Sequence, residues 1–291
     1  MFRKNTFGYY LFFLIFISFV IFLYGPIFSI ILLSFQGPDG GLVFPLQGFS
    51  IHWFKELWNG SGLVDIGASF RRSIALGFLV MLLTVTLSVA AGLAFPFRRN
   101  FFGANVLFYV AVASLIVPSI VLSLGIALEF RILDNIILWI GKSLEIKQIE
   151  DNFQTSLGMY SSGFGAQLTW TLPFGLLIMF AIFNRFDKSF EEAAKDLGAS
   201  SYQTFRYVVF PIILPSIIGI ALFGFTLSYD ELARSSQVMG ATNTLPLDLR
   251  GLTTTVTTPI IYALGTITTA VSFFVIGLSL GLVFLFNRRK F

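Results

Sequence analysis

Long apolar runs dominate the pattern of hydrophobic and polar positions along the chain. Six of them are apolar all round a helix, which is typical of helices that face lipid or the core of a membrane bundle. Each has about 20 residues or more, enough to cross a hydrocarbon core of about 30 Å. Because backbone groups in lipid must pair with one another, the runs predict transmembrane α-helices. The predicted spans are residues 9–33, 73–95, 105–128, 164–183, 207–228 and 262–286.

The composition agrees with an integral membrane protein and excludes several kinds of chemistry. The 291 residues are 56% hydrophobic and 12% charged, and the net charge of +4 is too small to indicate a nucleic-acid partner. The absence of cysteine excludes disulfides and thiolate chemistry. A single histidine, His52, excludes His-cluster metal sites and His-dependent triads. We therefore expect no catalytic residue, metal site or cofactor in this chain.

The distribution of charge predicts the orientation. With six spans, both termini share one side with the loops 96–104 and 184–206, and that side holds eleven of the 19 basic residues but four of the 15 acidic ones. Because Lys and Arg flanking the spans favour the cytoplasm, both termini are predicted to be cytoplasmic. Arg71 and Arg72, just before the second span, run against this assignment.

The predicted outer segments are longer than the inner loops. Residues 34–70 include a short amphipathic helix that we expect at the membrane interface, with Trp53 and Trp58 at the depth of the headgroups. Residues 129–163 include the apolar piece ILDNIILWI, which is too short to cross. Residues 229–261 are rich in Thr, Gly and Pro.

A compact charged stretch, EEAAKDLGASSYQTFRYVVFPIILP, begins at Glu191 on the predicted cytoplasmic side. Ser189 and Glu192 have the spacing of a capping box, and Gly198 is expected to end the short helix that they begin. Ser200 and Gln203 form a second capping-box pattern, which predicts another short helix. Two prolines, Pro211 and Pro215, then begin the next span. One apolar face of the first helix comprises Phe190, Ala193, Ala194 and Leu197.

This stretch resembles the EAA loop in the membrane subunits of type I, binding-protein-dependent ABC importers. The family pattern is Glu-Ala-Ala, three residues, Gly, nine residues, an aliphatic residue, one more residue, Leu and Pro. Val208 and Phe210 replace the usual Ile and Leu, and both keep an apolar anchor. The residues in register are Glu192, Ala193, Ala194, Gly198, Val208, Phe210 and Pro211.

The resemblance implies an all-α membrane protein with six transmembrane helices, a type I ABC-importer permease fold and one permease domain over residues 1–291. The elbow, residues 187–206, would be the coupling helix that docks on a separate ATPase dimer, with Glu192, Ala193, Ala194, Gly198 and Pro211 as its key residues. ATP and Mg would bind to that ATPase, because the chain has no phosphate-loop pattern. Further implied partners are a second, homologous or identical permease and a periplasmic substrate-binding protein at a bacterial inner membrane. The chain itself would be a transport subunit and not an enzyme.

The outer stretch LSYDELARSSQVMGATNTLPLDLRGL, from Leu227, is similar to the polyamine-type permease subfamily and implies import of spermidine or putrescine. Carboxylates at a span end could pair with ammonium groups, and aromatic rings could add cation–π contacts. The candidate solute contacts are Tyr229, Asp230, Glu231 and Trp170. Alternatively, Asp230 and Arg234 pair with each other on a helix surface. Related subfamilies carry opines, thiamine or iron.

A different class of function, a self-sufficient secondary transporter or channel, predicts uptake by the chain alone. The spans contain few ionisable residues of the kind that couple protons, and no inverted repeat is visible. A membrane scaffold without a transport path has little positive support. These patterns favour a permease with a separate motor.

Overall fold

The computed structural model describes residues 6–59, 65–94, 106, 109, 110, 112–255 and 258–288, and this part of the chain is almost entirely helical. Among these residues, two π-helical turns occur, at Met159–Gly163 and Phe205–Val209. The α-helices are α1 (Thr6–Leu33), α2 (His52–Asn59), α3 (Ile66–Ala94), α4 (Ser119–Ser143), α5 (Lys147–Asn152), α6 (Phe164–Arg185), α7 (Ser189–Asp196), α8 (Ser201–Thr204), α9 (Phe210–Tyr229), α10 (Leu245–Thr255) and α11 (Ile260–Arg288).

Five helical stretches among the described residues are long and apolar enough to cross a membrane. They agree with five of the predicted spans, and the prediction of an all-α membrane fold is confirmed. The remaining predicted span, 105–128, lies partly outside the described residues. The five stretches are Gly8–Leu33, Ile66–Ala94, Met159–Arg185, Ser201–Tyr229 and Ile260–Leu278.

The region after residue 112 differs from the prediction. A turn precedes Pro118, and α4 then continues past Leu128 to Ser143, so the piece ILDNIILWI is part of this helix and not a separate segment. Pro118 explains where α4 begins, since proline cannot donate a helical hydrogen bond and restricts the residue before it. In the second half of α4, the buried carboxylate of Asp134 accepts hydrogen bonds from Thr155 Oγ1 and the Ser156 N–H, both at 2.7 Å.

The chain divides into two compact units. The first contains the chain up to Gly67 together with Leu249–Phe273, and the second contains Ala68–Asp248 and the chain from Phe274 onward. In the first unit, the fully buried Gln36 organises the loop after α1, because its side chain accepts from the Gln47 N–H at 2.6 Å and donates to the Gly41 carbonyl at 3.1 Å. The prediction of one permease domain over the whole chain stays a prediction.

The amphipathic helix predicted in the first outer segment is α2, but its two tryptophans differ. Trp58 is 90% exposed, as expected of a residue at the membrane interface, whereas Trp53 is 6% exposed. Trp53 therefore packs inside the protein and Trp58 does not, and the prediction that both lie at headgroup depth stays a prediction. Residues 53 and 58 are five positions apart on a helix of 3.6 residues per turn, so they point in different directions.

In the second unit, α3 packs through a face of mostly small side chains spaced three or four residues apart. Small residues let transmembrane helices approach closely, and hydroxyls can bond across the interface. The hydroxyls of Thr84 and Thr171 are 2.7 Å apart and join α3 to α6. The buried face comprises Ser69, Ser73, Leu76, Gly77, Val80, Thr84, Ser88 and Gly92.

A second contact area joins α6 to the helical stretch that follows the elbow. Met179 of α6 and Val209, Ile213 and Ile220 of that stretch are all buried and form one apolar cluster. The charged segment 187–200 connects these two packed helices. Its ends are therefore fixed by apolar packing while the segment itself lies outside the packed core.

The close contact of α3 and α6 gives a testable prediction at Gly175. A Cβ there would overlap Ser88 Oγ and lie 3.1 Å from Thr84 Cγ2, whereas a Cβ at Gly219 would meet nothing within 4 Å. We expect Gly175→Ala to destabilise the protein by about 1–3 kcal/mol through overpacking. Gly219→Ala should be neutral or stabilising by up to about 1 kcal/mol, because alanine favours the helix. Thermal unfolding in detergent measures both, and equal melting temperatures would contradict this packing.

Candidate functional site

The first helix of the elbow, α7, ends at a glycine in the left-handed region. Gly198 has φ +82°, its N–H donates to the Lys195 carbonyl at 2.8 Å, and the Ala199 N–H donates to the Ala194 carbonyl at 3.0 Å. This pair of bonds is a Schellman motif, which satisfies the last carbonyls of a helix. The prediction that Gly198 ends the first helix is confirmed.

The beginning of α7 differs from the prediction. The Ser189 N–H donates to Asp187 Oδ1 at 2.9 Å, so Asp187 supplies the capping carboxylate and the expected Ser189–Glu192 capping box is wrong. This hydrogen bond holds the pKa of Asp187 below its ordinary value, because it favours the charged carboxylate. Glu192 is exposed and its carboxylate makes no hydrogen bond or ion pair with another described residue. It is therefore free to meet a partner.

The second cap is confirmed. The Gln203 N–H donates to Ser200 Oγ at 3.3 Å, and the Ser200 N–H donates to Gln203 Oε1 at 2.8 Å. The helix that begins there does not end before Pro211, contrary to the expectation of a separate short helix, but continues through a π-helical turn to Tyr229. The Phe210 N–H bonds to the Phe205 carbonyl, five residues back, just before the proline that lacks a donor.

The predicted coupling residues fall into two places. Glu192, Ala193 and Gly198 are exposed and Ala194 is half-buried, all on the elbow, whereas Pro211 lies farther along the chain in the first turn of α9. The apolar face of α7 is also exposed. Its two large members, Phe190 and Leu197, are 53% and 90% exposed. An exposed apolar face of this kind is a common feature of protein–protein contact sites.

Three of the four predicted solute residues, Tyr229, Asp230 and Glu231, lie at the other end of the same helical stretch, and the fourth, Trp170, lies on α6. Tyr229 is buried, stacks on Phe225 with ring centroids 5.8 Å apart, and its hydroxyl has no hydrogen-bond partner among the described residues. Asp230 follows the end of α9 and is exposed. Glu231 accepts a hydrogen bond from the backbone N–H of Arg234 at 2.8 Å.

The alternative that Asp230 and Arg234 pair on a helix surface is wrong. The helix ends at Tyr229, and Arg234 is fully buried with its guanidinium carbon 4.8 Å from the centroid of the Trp170 ring. Trp170 therefore contacts Arg234, which follows Tyr229, Asp230 and Glu231 in the chain. Sequence reasoning missed this role of Arg234, although an arginine among the hydroxyl residues of an apolar chain was a usable signal.

The chain matches a known protein family over most of its length. The pattern of the family described as "binding-protein-dependent transport system inner membrane component" matches residues 84–290, which include the whole elbow. The chain is 29% identical over 259 residues to the spermidine/putrescine transport system permease protein PotC of Haemophilus influenzae, covering 89% of this chain and 90% of that protein.

Two further similarities extend this result. The chain is 28% identical over 228 residues to the putrescine transport system permease protein PotI of Escherichia coli K12, covering 78% of this chain and 74% of the relative. Its fold is similar to that of a chain in a crystal structure of a bacterial ABC transporter involved in the import of the acidic polysaccharide alginate. The TM-score is 0.70 at 13% identity, over 96% of both chains, which shows a shared fold.

The left-handed turn of the elbow makes Gly198 testable. A Cβ at this position meets nothing within 4 Å, so the backbone angle and not crowding demands glycine. Asparagine tolerates left-handed angles, whereas a β-branched residue does not, and the cost for an ordinary residue is about 1–2 kcal/mol. We expect Gly198→Val to speed tryptic cleavage at Lys195 in membranes and Gly198→Asn to leave it near the parental rate. Equal cleavage of the two variants would contradict the role of the turn.

Proposed function

The chain belongs to the family of binding-protein-dependent transport system inner membrane components, and we propose that it carries a polyamine such as spermidine or putrescine into the cell on energy from a separate ATPase. The family membership makes it the membrane-spanning permease of an ABC importer and a multi-pass protein of the inner membrane. The bare apolar face of α7 is the observation that supports coupling to a separate motor.

Three features of the elbow suit it to docking. Phe190 and Leu197 offer apolar surface, the small side chains of Ala193 and Ala194 allow close approach, and Glu192 presents a carboxylate with no partner in its own helix. Burial of apolar surface of this kind stabilises a complex by roughly 25 cal/mol per Å² before the costs of association. The ATPase groove would supply apolar walls and a basic group opposite Glu192.

Movement of the docked elbow would act on the transport path through a continuous helix. The stretch Ser201–Tyr229 has 29 residues and begins two residues after the Gly198 turn ends. ATP and Mg would bind in the ATPase dimer, and closure of that dimer would carry this elbow and that of a second permease together. The helical stretch would transmit the movement as a rigid body, which gives alternating access. A periplasmic binding protein would deliver the solute.

The proposed orientation places both termini and the elbow in the cytoplasm. Arg72 runs against this orientation, because it is a basic residue on the predicted outer side. Its Nε donates to the Asn243 carbonyl at 2.7 Å and its Nη2 is 3.9 Å from the buried Asp248 carboxylate. Because Arg72 is held within the fold, it contributes less to the orientation than a free loop charge.

The polyamine assignment is supported by the relatives named for spermidine and putrescine and by the exposed carboxylate of Asp230. A carboxylate at the end of a span favours an ammonium group. Glu231 is a weaker candidate, since one of its oxygens accepts the backbone N–H of Arg234. Tyr229 could add its buried hydroxyl once α9 moves.

The docking proposal is tested by charging the apolar face. Leu197→Asp should reduce co-purification of the ATPase at least tenfold, because a charge would be buried in the apolar interface. The control is Leu144→Asp, which makes the same change at another exposed leucine, at the end of α4. Membrane levels should match the parent in both. Full co-purification with Leu197→Asp would contradict docking through this face.

The solute proposal is tested by removing the charge of Asp230. Asp230→Asn should raise the KM for spermidine uptake about tenfold or more, because a charge-assisted hydrogen bond to the ammonium is worth about 1.5–3 kcal/mol. Asp151→Asn, at an exposed acidic residue of α5, is the matched control and should leave the KM unchanged. Unaltered uptake by Asp230→Asn would remove Asp230 from the pathway.

A further inference from the structure

Arg234 fills a polar box built from α4, α6 and the turn before α4. Its Nη1 donates to Thr169 Oγ1 at 2.5 Å, its Nη2 to the Ser114 carbonyl at 3.3 Å and its Nε to Ser119 Oγ at 3.3 Å. The Trp170 ring lies 4.8 Å from the guanidinium carbon, and Arg234 is fully buried. We call Thr169, Trp170, Ser119 and the Ser114 carbonyl the cation box.

The groups of the cation box that contact the Arg234 guanidinium are all uncharged. All three hydrogen-bond acceptors of the guanidinium are neutral oxygens, and the Glu231 carboxylate bonds to the backbone N–H of Arg234. In the described part of the chain, Arg234 forms no ion pair. Burial lowers the pKa of Arg234, whereas the nearby Glu231 carboxylate raises it, so the opposite charge that acts on the guanidinium lies outside the cation box. The direct contacts that the cation box makes with the guanidinium are therefore oxygen dipoles and an aromatic face.

The segment around Arg234 is fastened to the same helices by other neutral contacts. Ser123 Oγ donates to the Arg234 carbonyl at 2.7 Å, Gln167 Nε2 donates to Ser235 Oγ at 3.0 Å, and Ser162 Oγ donates to the Val238 carbonyl at 2.6 Å. Arg234, Ser235 and Val238 are all buried. We call residues 230–240 the outer loop. Its attachment to α4 and α6 is centred on Arg234.

We propose that the cation box is a binding site for organic cations, that Arg234 is its resident occupant, and that the ammonium group of a solute competes with Arg234 for it and so releases the outer loop. A primary ammonium group needs the same surroundings as a guanidinium, namely oxygen acceptors and an aromatic face. Arrival of a cation would then open the loop that a bound Arg234 keeps closed. Only the identity of the competing solute rests on the proposed function.

The test uses the full chain in the assembled transporter, with one cysteine introduced as Val238→Cys. The chain has no other cysteine, and Val238 is buried between Ala127 and Ala166, so maleimide labelling reports release of the outer loop. In this background Arg234→Ala should label at least tenfold faster. Methylguanidine should not change the labelling of Arg234→Ala, because the occupant with which it competes is gone. With Arg234 intact it should speed labelling, whereas methylurea, a neutral molecule of the same shape, should not. Arg131→Ala, at an exposed arginine of α4, should label at the parental rate.

A second pair of variants keeps Arg234 in place. Trp170→Leu removes the aromatic face and should speed labelling, whereas Trp170→Phe keeps a ring and should remain close to the parent. Labelling that is unchanged in both Arg234→Ala and Trp170→Leu would overturn the proposal. An effect of methylguanidine on Arg234→Ala, or an equal effect of methylurea when Arg234 is intact, would also overturn it, because the cause would then not be competition for a site that recognises charge.

The solute is tested separately in the protein with Arg234 intact. Methylguanidine should increase labelling of the cysteine at position 238 by competing with Arg234, and spermidine should do the same at lower concentration. An effect of methylguanidine without one of spermidine supports the cation box and counts against polyamine as the solute. The absence of any effect of either cation overturns the competition.

Discussion

The end of α7 fixes the geometry on which the coupling proposal depends. The N–H groups of Gly198 and Ala199 turn back onto the carbonyls of the helix, and the positive φ of Gly198 sends the chain directly into a second capped helix. From Ser201 that helix runs for 29 residues, or about 43 Å at 1.5 Å per residue. Under the coupling proposal, a displacement of the elbow would be carried along this continuous helical stretch to Tyr229 and the outer loop beyond it.

The two ends of this helical stretch have different surroundings. At the elbow, Phe190 and Leu197 expose apolar surface that no described part of the chain covers. At the other end, hydroxyls and amides of α4 and α6 pair with the outer loop, and a buried arginine is held by neutral oxygens and an indole ring. One end thus exposes the apolar face that we propose to dock on another protein, and the other is held by the contacts for which we propose that a solute competes.

Long-period patterns and local backbone rules were enough to predict much of this arrangement. The apolar runs located five helices, and the spacing of Gly198 and Ser200 predicted the elbow. The predictions that were wrong depended on which of several neighbouring polar groups forms a hydrogen bond, or on tertiary contacts. Asp187 accepts the Ser189 N–H that the predicted capping box assigned to Glu192. Asp134 lies within α4 past Leu128, where Thr155 and Ser156 donate hydrogen bonds to its carboxylate. The sequence predicted a pair between Asp230 and Arg234 because only their spacing along the chain was known.

The most direct test of the central claim is a cross-link from the elbow in the intact transporter. The chain has no cysteine, so Leu197→Cys gives a single reactive thiol on the face proposed to dock. With a short photoactivated cross-linker on that thiol, the account predicts one major product that joins this chain to the ATPase subunit. Reaction only with lipid, with solvent or with the outer binding protein would contradict the account.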